Sequence, residues 1–247
     1  MTPPRLRFLL MQVRDAGDPV IAQEVRCFAE TLGCEPSQLT THSLLEGPPP
    51  RALLDANDLV LIGGSGDYSA ASPIAAGENP WLASAFDALR DLHADAKPTF
   101  ASCWGFQAFC RALGGDCVRD EAAAELGSIP LNLTNAGRDD PVFGVLPSAF
   151  LGHAGHQDRV NRLPPDAVLL ASSDRVAEQA VRFADKPIYA TQFHPELTRA
   201  TLIERVEAYP EYVEQIAGVP LPRFAETLAE TPDANTLISK MVQVVFG

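Results

Sequence analysis

The period of apolar positions switches repeatedly along the chain, and each switch predicts a change of element. Short apolar runs at 6–12 and 59–62 are too brief for helices and read as strands, and a further short strand is read near 40–44, with GPPP at 47–50 marking the connection that follows it. Residues 19–32 instead repeat apolar side chains at helical spacing and stop at Gly33, and WLASAFDALRDLH at 81–93 has the same spacing. KPTFAS at 97–102 supplies another strand, and GFQAFCRAL at 105–113 a helix closed by Gly114 and Gly115. This alternation specifies the α/β class, with a mostly parallel central sheet and helices on both faces. Residues 126–193 are richer in strand pattern, which adds a small antiparallel portion. Helical spacing returns at 201–218 and 226–246, interrupted by Pro210 and Pro232. A domain over 1–200 is therefore expected to carry a helical extension over 201–247, packed on its own surface.

Two places in this frame carry chemistry. Cys103, in ASCWGFQ (101–107), falls at the corner between a strand and the helix that follows. A side chain at such a corner projects outward, and the helix N-terminus aims N–H groups and its positive dipole end at it, stabilising negative charge that develops there. Ala101 and Gly105, two residues to either side, are small, as a tight elbow demands. Taken alone, Cys103 is accounted for equally well as a packed core thiol. The second place, QFHPE (192–196), closes the apolar strand IYATQF (188–193) with His194 and Glu196. They are two apart, hence on one side of extended backbone, and Pro195 restrains the turn. An imidazole can take a thiol proton, and a carboxylate on its other nitrogen fixes the tautomer and steadies the imidazolium. Cys103, His194 and Glu196 thus form a candidate triad for thiol-based acyl transfer.

With these motifs the chain resembles the class I (triad-type) glutamine amidotransferases, most closely the glutaminase domain of GMP synthetase and its free-standing relatives. The resemblance covers roughly residues 5–200. Ala101, Cys103, Gly105 and Gln107 match the elbow, residues 192–196 match the second block without change, and ELG (125–127), GHQDRV (155–160) and VLLASSD (168–174) lie between them in the family's order. It implies a flavodoxin-like architecture with Cys103, His194 and Glu196 catalytic. It also implies an oxyanion hole from the backbone N–H groups of Gly64, in LVLIGGSGDYS (59–69), and of Trp104, with glutamine held by Gln107, His156, Gln157 and Asp158. The implied reaction is hydrolysis of the glutamine side-chain amide to glutamate and ammonia, with no cofactor or metal and a synthetase partner protein to receive the ammonia. The alternative is a free-standing γ-glutamyl peptidase using the same triad. Ala101 replaces the family's usual elbow glycine, and Ser65 and Gln157 stand where GMP synthetases often carry proline and glycine. These departures bear on the partner or acceptor rather than on the triad.

Composition narrows the setting without naming the chemistry. At 247 residues and 46% hydrophobic content the chain can bury a sizeable core. A net charge of −13 argues against nucleic acid or an anionic membrane surface as a partner. The apolar run in MTPPRLRFLLMQV is too short for a signal sequence and reads as the first strand, so a cytoplasmic location is expected. Five cysteines without secretory context argue against a disulfide framework. Cys103, Cys110 and Cys117 are spaced by seven, but the glycines at 114 and 115 end the helix first, so Cys110 and Cys117 read as core residues, as do Cys27 and Cys34. His153 and His156 mimic a metal pair, yet no adjacent cysteine or acidic cluster completes it. Ser65 lacks the glycine spacing of a serine elbow, and Met1-Thr2 offers no N-terminal cysteine, which leaves the triad without a rival nucleophile. GGSGDYS also lacks the residue order of an ATP-pyrophosphatase phosphate loop, so acceptor chemistry would fall to another protein.

Overall fold

The computed structural model describes residues 6–74 and 79–247. Residues 1–5, the head of the stretch read as the first strand, lie outside the described residues. The first half of the chain alternates as the pattern predicts: β1 (Phe8–Val13), α1 (Val20–Leu32), β2 (Leu39–Ser43), α2 (Arg51–Asp55), β3 (Leu59–Ser65), α3 (Pro80–Ala94), β4 (Thr99–Ser102) and α4 (Trp104–Ala112). The second half is strand-rich, with β5 (Asp116–Arg119), β6 (Glu125–Leu133), α5 (Asn135–Asp139), β7 (Ala149–His156), β8 (Asp158–Arg162), β9 (Ala167–Ser172), β10 (Ala180–Phe183) and β11 (Ile188–Thr191). Four helices follow, α6 (Arg199–Glu207), α7 (Pro210–Ala217), α8 (Leu221–Thr227) and α9 (Leu237–Phe246). No helix among the described residues is long and apolar enough to cross a membrane.

One sheet runs in the order β2-β1-β3-β4-β11-β10-β9-β6-β7. The first five strands pair in parallel and the remaining four continue antiparallel, while β5 and β8 form a separate antiparallel pair. Parallel strands are covered on both faces, so alternate side chains feed two different cores. Phe8, Leu10, Leu59, Leu61 and Phe100 pack with Phe28 and Leu32 of α1 and with Leu237 and Met241 of α9. Leu9, Met11, Val60, Ile62 and Ala101 pack with Phe86 and Leu89 of α3 and Phe106 and Phe109 of α4. A third, smaller core seats the C-terminal helices, with Leu202, Val206, Val213 and Phe224 closing over Leu197 and Cys27 of α1. As the sequence predicts, α1 ends at Gly33 in the left-handed region, φ 63°.

Near the cysteine, two strand boundaries differ from the sequence reading. The strand expected over 59–62 runs to Ser65, because beyond a bulge after Met11 the partner strand continues with Val13 opposite Ser65. Gly63 and Gly64 are therefore strand residues rather than turn residues. Gly63 is required by close approach, since a Cβ there would stand 2.1 Å from Glu24 Oε1. That carboxylate accepts from Gln12 Nε2 at 2.9 Å and is itself fully buried. At the other end, β11 stops at Thr191 instead of 193, and residues 192–196 form bends and turns.

Candidate active site

Cys103 occupies the corner between β4 and α4 with φ 52° and ψ −105°, a backbone conformation that costs a non-glycine residue energy and persists only where its surroundings enforce it. The enforcement is visible. Its N–H donates to Thr191 O at 2.7 Å, and its carbonyl accepts the first helical bond, from Gln107 N at 3.1 Å. The helix then lies so close to the sheet that a Cβ on Gly105 would meet Ile62 Cγ2 at 2.9 Å and Ala101 Cβ at 3.0 Å. Small residues at 101 and 105 are thus a packing requirement of the elbow, as the motif suggested. The thiol is almost buried, with Sγ 3.7 Å from both Gly155 O and Gln192 Nε2.

His194 and Glu196 meet, but through a turn rather than an extended strand end. Leu197 N closes the turn on His194 O at 3.2 Å, and His194 N is tied to His153 O at 2.7 Å. In this form His194 Nδ1 faces Glu196 Oε1 at 2.6 Å. Burial opposes charge on His194, yet Glu196 and the Cys103 sulfur beside it outweigh burial and raise the imidazole above its ordinary value. Glu196 is the mirror case, its carboxyl held well below the usual range against burial by His194 and then by Arg205. The arrangement can move a proton between sulfur and imidazole while a fixed carboxylate balances the charge. His153, directly behind, has its value pushed down by burial and by His194, and stays neutral. Burial raises the thiols of Cys27, Cys110 and Cys117, which keeps those cysteines protonated and unreactive.

A cavity of about 570 Å³ opens over the sulfur, and Gly64, Cys103, Trp104, Gln107, His156, Gln157, Asp158 and His194 all line it. Glu196 sits behind His194, fully covered. The four residues expected around a substrate are brought together at this cavity, tied to one another through Asp158 O and otherwise to surrounding side chains. Gln107 Nε2 donates to Asp158 O at 2.8 Å and to Gln192 Oε1 at 3.0 Å. His156 lies between Glu125 Oε2 and Asp158 O, both at 3.0 Å, while the Asp158 carboxylate accepts from Ser69 in the segment after β3. Gln157 Oε1 accepts from Arg119 at 2.7 Å. A Cβ on Gly64 would stand 3.1 Å from His194 Cε1 and 3.7 Å from Cys103 Cβ, which puts its backbone beside the thiol.

The sequence left part of this site unmarked. Gln192, inside a recognised motif, links Gln107 to the cysteine sulfur and had no role assigned. The opposite wall of the cavity comes from the C-terminal helices, through Leu202, Arg205, Val206, Tyr209 and Tyr212. Arg205 Nη1 reaches Glu196 Oε1 at 3.4 Å. One signal was available: an arginine in register with Leu202 and Val206, on the buried face of a helix, needs a buried partner.

The sequence family described as glutamine amidotransferase class-I matches residues 13–205. A glutamine-hydrolysing GMP synthase of Thermosipho africanus is 32% identical over 109 residues, 44% of this chain and 20% of that protein. One of the subunits of the glutamine-hydrolysing GMP synthase of Methanocaldococcus jannaschii is 33% identical over 108 residues, 43% of this chain and 55% of that one. These matches span from a fifth to just over half of the length of those relatives. A solved glutamine amidotransferase from Thermotoga maritima superposes with a TM-score of 0.77 at 19% identity, covering 97% of both chains, and so shares the fold.

Proposed function

The chain belongs to the glutamine amidotransferase class-I family, and from that premise we infer that it hydrolyses the side-chain amide of glutamine through Cys103, His194 and Glu196. The observation that carries the reading is the meeting at one cavity of an elbow thiol and an imidazole whose far nitrogen is held by a buried carboxylate at 2.6 Å. Cys103 Sγ attacks the amide carbon after His194 Nε2 takes its proton. The same imidazolium then protonates the nitrogen, the C–N bond breaks and ammonia leaves a γ-glutamyl thioester. Water, deprotonated by His194, attacks the thioester to release glutamate and restore the thiol. The tetrahedral oxyanion would be met by the N–H groups of Trp104, at the start of α4 where helix donors lack intrahelical partners, and of Gly64. Gln107, His156, Gln157 and Asp158 would bound the amino-acid end. Ammonia would pass to a synthetase partner.

A second reading is favoured by one observation. The cavity falls within the roughly 300–1,000 Å³ typical of sites for ligands well above amino-acid size. α6 and α7 wall its outer part, which would suit a γ-glutamyl compound with a larger leaving group. The discriminating experiment is glutamate release from glutamine and from a γ-glutamyl dipeptide, run beside mass-spectrometric labelling with a glutamine-mimicking electrophile. Preference for glutamine supports the first reading and faster dipeptide turnover the second, while absence of both turnover and label at Cys103 rejects both. Gly64→Ala offers a narrower check. Its new Cβ presses on His194 at 3.1 Å, so kcat is expected to fall about tenfold in a folded protein, a shift of a few tenths of an ångström at the imidazole being enough. Unchanged kcat would show that the backbone at 64 is not part of the reacting centre.

A further inference from the structure

Beside Glu196, at the margin of the cavity, lies a largely buried cation that no sequence motif marks. Arg205 projects from the inner face of α6, where Leu202, Arg205 and Val206 are the buried side chains. Its side chain is 9% exposed, and Nη1 approaches the same Glu196 oxygen that faces His194. The guanidinium is aimed from two sides. Nε donates to Gln23 Oε1 of α1 at 2.8 Å, and Gln23 Nε2 in turn donates to Thr201 O of α6 at 2.7 Å. Desolvating a guanidinium is costly, and an apolar side chain of like volume often serves packing as well. A cation retained here, oriented by a dedicated amide and turned toward a carboxylate, therefore has a task that packing does not explain. Among the described residues, Glu196 Oε2 and Arg205 Nη2 carry no hydrogen bond, so the contact between the two groups runs through Oε1, which His194 shares, and Nη1.

We propose that Arg205 is a positioning residue for the triad: held by Gln23, it fixes the rotation of the Glu196 carboxylate, which in turn holds His194 with Nε2 toward Cys103. The proposal rests on the triad reading. It makes α6 part of the apparatus that orients the site, because that helix supplies the group that holds Glu196. The titratable and charged groups around Glu196 are His194 from its own turn, Arg205 from α6, His153 from β7 and Cys27 from α1. Of these Arg205 is the permanent cation, and its charge opposes protonation of the carboxylate.

Full-length Arg205→Met, Arg205→Lys, Gln23→Met and Cys103→Ala variants test this, with kcat normalised to protein labelled at Cys103 where that residue is present. For Arg205→Met, kcat is expected to fall about ten- to a hundredfold with KM for glutamine unchanged, since misplacing a reacting group by about 1 Å costs up to about 10². The acid limb of the kcat profile is expected to move to higher pH, and Arg205→Lys to recover part of the rate and return the limb toward its original place. Gln23→Met keeps the cation but frees it, and is expected to lower kcat by a smaller factor in the same direction. Normal kcat and an unmoved acid limb in Arg205→Met, with only thermal stability or KM altered, would overturn the proposal. If Arg205→Met fails to fold, a wild-type rate and pH profile in Gln23→Met overturns it equally. Activity surviving in Cys103→Ala is a separate failure, that of the triad itself.

Discussion

Cys103→Ala is expected to abolish glutamate release, with kcat falling by about 10⁴ to 10⁶, the scale on which removal of a triad nucleophile acts. The substitution removes one sulfur from a nearly closed site and leaves the elbow's φ of 52° unchanged, so the loss should be chemical. Circular dichroism and thermal unfolding close to wild type, with no label from a glutamine-mimicking electrophile, would complete the result. Cys110, seven residues on and within the elbow helix, is a fair control. It is fully buried in the core with its thiol raised by burial, and should take no label. Normal turnover in Cys103→Ala would remove the whole mechanistic reading.

Glu196→Ala should give the next largest effect, on rate and stability together. With the carboxylate gone, His194 Nδ1 loses its 2.6 Å partner and the imidazolium loses its counter-charge. A rate reduced about 10² to 10⁴ but still measurable is expected, since the thiol, the imidazole and the oxyanion donors remain. The same change strands Arg205 in the interior, and breaking a buried pair by deleting one member costs about 3–5 kcal/mol. Stability should also lose part of its pH dependence. Glu196 is depressed from an ordinary value of 4.5, so its contribution is present above that pH and fades as pH falls toward the lowered value. His194 is raised from an ordinary 6.5, so its contribution is complete below that pH and fades as pH rises toward the raised value. The pair therefore supports the fold most fully between roughly pH 4.5 and 6.5. Denaturant melts across pH should show wild-type stability sagging on both sides of that window and Glu196→Ala flatter throughout. Parallel curves for the two proteins would contradict the coupling.

The elements and the candidate triad were legible in the sequence because both rest on short-range rules. Short continuous apolar runs set β1 and β3 and a 3.6-residue period sets α1 and α4 locally, Gly33 ends α1 by its own backbone freedom, and small residues two to either side of Cys103 mark an elbow whose packing is decided within one strand and one helix. The sequence thus determined the α/β class, the elbow position of Cys103 and the His194–Glu196 partnership. It did not determine where strands stop near the site. β11 gives up its last two expected residues to bends, and there Gln192 turns its amide toward Gln107 and Cys103, residues 85 and 89 positions away. Nor did it reveal Arg205, whose anchor Gln23 is 182 residues distant, or the tyrosines at 209 and 212 that wall the cavity. Local propensity and pattern act over one turn or one pleat, whereas a buried ion pair or a cavity wall exists only once distant segments are packed together. The candidate triad was written along the chain, and its support and the shape of its chamber came from tertiary structure alone.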